Sequence, residues 1–221
     1  PELRGPQALE IYSHHLCRCR NLTRLEIEIP PAFEFETGLL FRQVFSRLKI
    51  LALHYPGGYL VDDFDYNRQM STCLAQGAGA LQNLIDLRLS WPWPVPEVDD
   101  DAELDNDMHP HVFQEFLDNA TLPKLVCLTL VGPVWSTALL RTQAGFINRH
   151  KGLIRLRVLP QSRNGFDGTF LRLGFDLLEL LQPLEKLEEL LVPMPHPDHQ
   201  VAEMSWIQQL CPEATCVVFG V

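Results

Sequence analysis

The sequence predicts an α/β fold: a parallel sheet of seven short strands that alternate with helices in one solenoid domain over residues 1–221. Two observations predict this fold. An aliphatic phrase, Leu-x-x-Leu-x-Leu, recurs along the chain, and helix-like stretches separate its copies. Recurrence every ~20–50 residues is typical of repeat architectures, in which each unit buries its apolar side against its neighbours.

The aliphatic phrase has seven copies, of which the last is degenerate. Its clearest copy is Leu84, Leu87 and Leu89. The end of the phrase alternates apolar and polar side chains, as a strand with one buried face does. The copies start 26 to 41 residues apart, at Leu22, Leu48, Leu84, Leu125, Leu153, Leu187 and Ala214.

The stretches between the copies place apolar residues three and four apart, which predicts helices. Phe113, Phe116 and Leu117 form the clearest stripe. A helix after each strand returns the chain to the same end of the sheet, so we expect parallel pairing. The predicted helices cover residues 9–19, 38–45, 68–74, 111–119, 137–150, 170–181 and 201–210.

Six copies of the phrase in phase resemble the motif of the leucine-rich repeat family over nearly the whole chain. The resemblance implies a right-handed α/β horseshoe segment of about seven irregular repeats, with the sheet on the concave face and the helices on the convex face. The ninth position of the family's phrase is usually Asn or Cys, whereas proline, which fixes φ and ends a strand, predominates here. These long units are most similar to the repeat regions of fungal F-box/leucine-rich-repeat proteins. The ninth-position residues are Pro30, Pro56, Pro92, Pro133, Gln161 and Pro195.

The longest unit contains an insertion at residues 91–110 that is rich in proline, tryptophan and acidic residues. Trp91 and Trp93 stand among prolines, and six carboxylates follow between Asp99 and Asp107. Loops held by a rigid scaffold often carry the binding surface of a repeat protein. The alternative is an acidic loop exposed to solvent, with the tryptophans packed over the edge of the core. Both interpretations stay open.

The composition limits the classes of partner and the cellular location. A net charge of −10 disfavours binding to nucleic acid or to anionic membranes. No apolar run approaches the ~20 residues of a membrane span. The six cysteines fall within repeats, which indicates reduced thiols in a cytoplasmic or nuclear protein. Glycosylation sequons at Asn21 and Asn119 favour the alternative of a secreted protein.

The sequence contains no catalytic signature. It has no nucleophile elbow, His-Glu-x-x-His, phosphate loop or Cys-x-x-Cys. His14, His15, Cys17 and Cys19 are ligand residue types, but their spacing is poor for zinc. We therefore predict a protein that is not an enzyme and has no catalytic residue, metal site or cofactor.

The outward side chains of the strands predict a binding surface. Arg88, Arg155 and Arg157 form a small basic spot on an acidic protein. Glu189 on the next strand can neutralise part of it, so ion pairing between strands and contact with a ligand both stay open.

Aromatic residues follow the ends of several strands and should gather at one edge of the sheet. Aromatic and arginine side chains are the usual anchors of protein interfaces. We therefore predict a protein or peptide partner on the concave face and on this rim of strand ends. The predicted rim residues are Tyr55, Trp91, Trp93 and Trp135.

The F-box resemblance implies a more specific role, substrate recognition for a ubiquitin ligase, with the F-box itself upstream of Pro1. A different class of function is also open. A secreted protein could bind a small molecule or a carbohydrate and use the tryptophan-rich loop as a stacking platform.

Overall fold

The computed structural model describes residues 16–28, 43–55, 72, 74–90, 113–132, 137–159, 177, 179–193 and 200–220. Seven strands form one parallel sheet in chain order. The α/β class and the parallel pairing predicted from the phrase are confirmed. The strands are β1 (Arg24–Glu28), β2 (Ile50–His54), β3 (Asp86–Ser90), β4 (Cys127–Val131), β5 (Arg155–Leu159), β6 (Glu189–Pro193) and β7 (Cys216–Gly220).

Three helices of the described residues lie between the later strands, close to their predicted positions. They are α1 (Gln114–Asn119), α2 (Thr137–Arg149) and α3 (Gln200–Leu210). Shorter helical segments occur at residues 16–18, 43–45 and 74–78. No helix in the described part of the chain has both the length and the apolar character that crossing a membrane requires.

One face of the sheet packs against these helices. Where the structure describes their side chains, the second and fourth residues of the strands point to this covered face, and Leu51, Leu87 and Leu128 stand side by side in register with 0% exposure. They belong to one core cluster with the helix residues Phe116 and Phe146. Complete burial of a leucine stabilises a fold by about 1.5–3 kcal/mol, so each leucine of this row contributes substantially to the stability of the sheet.

The same turn precedes every strand. The N–H of the first residue of each phrase donates to the carbonyl three residues earlier, as from Leu48 to Phe45 and from Leu84 to Leu81, both at 3.1 Å. The residue three positions before the phrase is buried in six of the seven units, an additional core position that the sequence analysis missed. These residues are Phe45, Leu81, Leu122, His150, Leu184 and Cys211.

Backbone hydrogen bonds at the strand entries also repeat. The Thr23 carbonyl accepts from the N–H groups of Lys49 and Ile50, at 2.8 and 3.0 Å. The equivalent carbonyls of Lys49, Ile85, Val126 and Ile154 each accept two N–H groups from the following unit. The strands are therefore joined in one register from the first unit to the sixth.

His150 is the only charged or polar type at the additional core position, and it is 5% exposed. Its Nε2 accepts from the N–H of Leu122 at 2.9 Å, and its Nδ1 donates to the Phe146 carbonyl at 2.6 Å. A backbone N–H can only donate, so Nε2 carries no proton and the ring is neutral. Burial lowers the pKa of His150, the nearby Arg149 cation lowers it further, and the Phe146 carbonyl opposes them.

Candidate binding surface

The face of the sheet opposite the helices carries the first, third and fifth residues of each strand, and we call it the open face. Where the structure describes these side chains they are exposed or partly exposed, with one exception. The exception is Ala52, which is 4% exposed and lies in register between Glu26 and Arg88. The small side chain leaves room above β2 for its longer neighbours.

The open face is electrically balanced, unlike the whole chain. It carries four basic and four acidic side chains, whereas the sequence as a whole has 18 basic and 28 acidic residues. Basic side chains are therefore enriched there. The eight residues are Arg24, Arg88, Arg155, Arg157, Glu26, Glu28, Asp86 and Glu189.

Arg88 is held by a carboxylate of its own strand. Its Nη2 and Nε donate to the two oxygens of Asp86, at 2.8 and 3.3 Å. This hydrogen bonding, with the charge of Asp86, raises the pKa of Arg88, and the more distant charge of Glu26 adds to the increase. The guanidinium is thus fixed in a planar, two-bond contact.

Arg155 and Arg157 share one carboxylate on the neighbouring strand. Arg157 donates from Nη2 and Nε to Oε1 of Glu189, at 2.7 and 2.9 Å. Arg155 approaches the other oxygen, with 3.5 Å between its Nε and Oε2. All three arginines of the predicted basic spot are therefore ion-paired, Arg155 and Arg157 between strands and Arg88 within β3.

The first two strands carry a more acidic group. The Nε2 of His54 lies 3.2 Å from Oε1 of Glu26. The Nη2 of Arg24 lies 3.6 Å from Oε2 of the same carboxylate. Glu28 adds a second exposed carboxylate to β1. The open face therefore runs from an acidic edge at β1 to a basic area at β5.

An uncharged strand separates the arginines. β4 contributes Cys127, Thr129 and Val131, all partly exposed. Thr129 stands in register between Arg88 and Arg157. Burial raises the pKa of the Cys127 thiol, and the Asp86 carboxylate raises it further. The thiol stays protonated near neutral pH and is a poor nucleophile.

The structure brings part of the predicted site together. Arg88, Arg155 and Arg157 share the open face, and Tyr55 directly follows β2 at the strand ends. The Tyr55 N–H donates to the Ser90 carbonyl at 2.7 Å, and its side chain packs partly buried against the core. The other rim residues, Trp91, Trp93 and Trp135, lie outside the described residues, as do the insertion at 91–110 and the ninth-position residues of the phrase.

The described residues offer little to hold a metal or to react as a nucleophile. They contain no group of three or more His, Cys, Asp or Glu side chains that could bind a metal ion. Cys17, Cys19, Cys127 and Cys211 are free thiols, and burial raises the pKa of Cys211 to about 12. His14 and His15, the other members of the candidate ligand set, lie outside the described residues.

Comparison with known proteins adds no relative from which a function could be transferred. No protein-family model matches the chain, and no curated protein matches it.

Proposed function

We propose that the chain is a leucine-rich-repeat solenoid that binds a protein or peptide partner on its open face and at the rim of strand ends, without catalysing a reaction. The repeated turn before each phrase and the chain-order sheet support the solenoid, because identical junctions join successive units. The finer role, substrate recognition for a ubiquitin ligase, rests on the resemblance to fungal F-box/leucine-rich-repeat proteins.

The observation that carries the proposal is the composition of the open face. Partly exposed aliphatic side chains at Ile50, Val131 and Leu159 share this face with ion-paired arginines. Protein interfaces combine an apolar centre with arginine anchors and a polar periphery. The strands hold these groups rigidly, so little side-chain and backbone entropy is lost on binding.

The free thiols agree with a reducing cellular compartment, in which we place the protein. The different proposal, a secreted protein that binds a small molecule or a carbohydrate, depends on the tryptophan-rich loop, which lies outside the described residues, and its support is the pair of glycosylation sequons at Asn21 and Asn119.

Site-specific photocrosslinking tests whether the open face binds a protein. A photoreactive residue at Thr129 should capture a defined protein from cells of the source organism. The same residue at Gln208, exposed on α3, is the matched control and should not capture it. With the captured protein in hand, Val131→Glu combined with Leu159→Glu should weaken its binding at least tenfold while the chain stays folded. Equal capture from both positions, or unchanged affinity of the folded double variant, would refute binding at this face.

The rim is tested separately. Trp91→Ala combined with Trp93→Ala should weaken binding of the captured partner without unfolding the chain. Unchanged affinity with intact folding would remove the tryptophans from the proposed interface.

A further inference from the structure

We propose that the open face between β3 and β6 recognises an extended acidic segment of the partner, whose carboxylates contact Arg88 and Arg157 on the two sides of Thr129. This inference rests on the proposed function, because it specifies the chemistry of the partner at the same face.

The positive ends of these ion pairs are more accessible than the negative ends. The Arg88 side chain is 44% exposed and that of Asp86 is 17% exposed. Arg157 is 41% exposed, whereas Glu189 is 26% exposed. The guanidinium groups are therefore more accessible to an approaching molecule than the carboxylates that pair with them.

Each arginine is fixed but retains donors. A guanidinium has five N–H groups, of which Asp86 engages two on Arg88 and Glu189 engages two on Arg157. The remaining donors have no hydrogen-bond partner among the side chains that the structure describes. A guanidinium already held in place loses less conformational entropy when it binds a carboxylate, and its planar donor pattern favours that anion.

The spacing of the two arginines suits an extended peptide. Neighbouring strands lie ~4.8 Å apart, so the backbones at Arg88 and Arg157 are about 10 Å apart across β4. A polyproline II segment advances ~3.1 Å per residue with three residues per turn, so its positions i and i+3 lie on one side about 9 Å apart. Acidic residues at i and i+3 of such a segment can therefore reach both arginines, above the small side chain of Thr129.

The overall negative charge of the chain does not prevent this contact. Charges farther than about 8 Å are largely screened at physiological ionic strength. Within β3 to β6 the open face has three arginines and two carboxylates, so its local charge is positive. The net charge of −10 lowers the rate of encounter with an acidic segment more than the strength of the final contact.

Fluorescence anisotropy with the full chain tests the proposed chemistry. The probe is a labelled proline-rich peptide with Glu at positions i and i+3, compared with the same peptide carrying Gln and with one carrying Lys. We expect the Glu peptide to bind at least tenfold more tightly than either. Equal binding of the Glu and Gln peptides would overturn the inference.

Substitutions then assign the binding to the two arginines. Arg88→Gln combined with Arg157→Gln should reduce Glu-peptide affinity at least tenfold. Arg24→Gln, which removes another exposed cation of the open face outside the basic area, is the matched control and should change affinity less than twofold. If the double Gln variant unfolds, Arg88→Lys with Arg157→Lys keeps the charge without the planar donor pattern and should still reduce affinity severalfold. An equal loss in the Arg24 control, or full affinity in a folded double variant, would contradict the assignment.

The crosslinking experiment separates this inference from the proposed function. Capture of a partner from Thr129 but not from Gln208, together with no preference for the Glu peptide, overturns the acidic segment and leaves protein binding standing. Loss of position-specific capture overturns the proposed function itself.

Discussion

At the scale of single residues, His150 is the most informative side chain of the core. It occupies the position that Phe45, Leu81 and Leu184 fill in other units. Both of its ring nitrogens are used, and the backbone N–H of Leu122 fixes the neutral form. Protonation of Nε2 would remove an acceptor and place a buried charge against a donor, so we expect folding to depend on pH through this ring.

Because the pKa of His150 is lowered in the folded state, the unfolded chain binds the proton more readily below its ordinary pKa of about 6.5. The contribution of His150 to stability is therefore complete above about pH 6.5 and is lost as the pH falls from there through the lowered pKa, by at most about 1.4 kcal/mol per pH unit. Urea unfolding across pH 5–8 measures this slope, and NMR titration of the ring gives the folded pKa directly.

His150→Leu provides the matched control for the titration. It introduces the residue found in equivalent units but leaves the Leu122 N–H without its acceptor, so we expect a loss of about 1–3 kcal/mol at pH 8. The free energy of unfolding of the variant should also depend less on pH, because the contribution of the His150 ring is absent. An unchanged slope in the folded variant would mean that another group causes the acid sensitivity.

At the scale of elements, the strand pairs differ in how their ion pairs act. Arg157 and Glu189 join β5 to β6, whereas Arg88 and Asp86 belong to one strand. The same-strand pair can also form in an extended unfolded chain, so less of its attraction favours folding.

Double-mutant cycles should reveal this difference in coupling energy. For Arg157→Gln and Glu189→Gln we expect a coupling energy of about 0.5–1 kcal/mol, since both groups are partly solvated. The coupling energy between Arg88→Gln and Asp86→Asn should be smaller, and added salt should reduce both coupling energies. A larger coupling for the same-strand pair would contradict this view of the open face.

The same elements show what the sequence could and could not predict. The observed β5–β6 register follows from aligning two copies of the phrase, Leu153, Leu156 and Val158 with Leu187, Leu190 and Val192. The sequence predicts it because recurrence and alternation are local properties of the chain. The register places Arg155 opposite Glu189, yet the shorter contact is the diagonal one from Arg157. That choice depends on side-chain conformations, which no sequence pattern encodes.

The additional core position was missed for a related reason. Cysteine or histidine occupies this position in three of the seven units, so the sequence shows no aliphatic repeat there. These residues are Cys19, His150 and Cys211. This core position is defined by its backbone carbonyl, which accepts a hydrogen bond from the N–H of the first residue of each phrase. That bond involves only backbone atoms. The predicted rim at Trp91, Trp93 and Trp135 stays a prediction.

At the scale of the whole molecule, the sheet adds strands strictly in chain order. Each inner strand has two neighbouring strands, whereas β1 has one, and Leu25 of β1 is 8% exposed while Leu128 of β4 is fully buried. In such an array, stability is approximately a sum of unit stabilities and contacts between neighbours. The same substitution should therefore cost more in the middle of the sheet than at its first strand.

Leu→Ala substitutions along one register row test this dependence on position, because the chemistry of each change is identical. We expect Leu128→Ala and Leu87→Ala to lower the free energy of unfolding by about 2–5 kcal/mol, since surrounding strands cannot collapse into the cavity. Leu25→Ala should cost less, because the sheet of described strands gives β1 a neighbouring strand on one side only. Urea unfolding measures each loss, and hydrogen exchange should show the faster opening confined to the first units in Leu25→Ala. A cost at Leu25 equal to that at Leu128 would indicate that a further part of the chain packs against β1 and completes the core there.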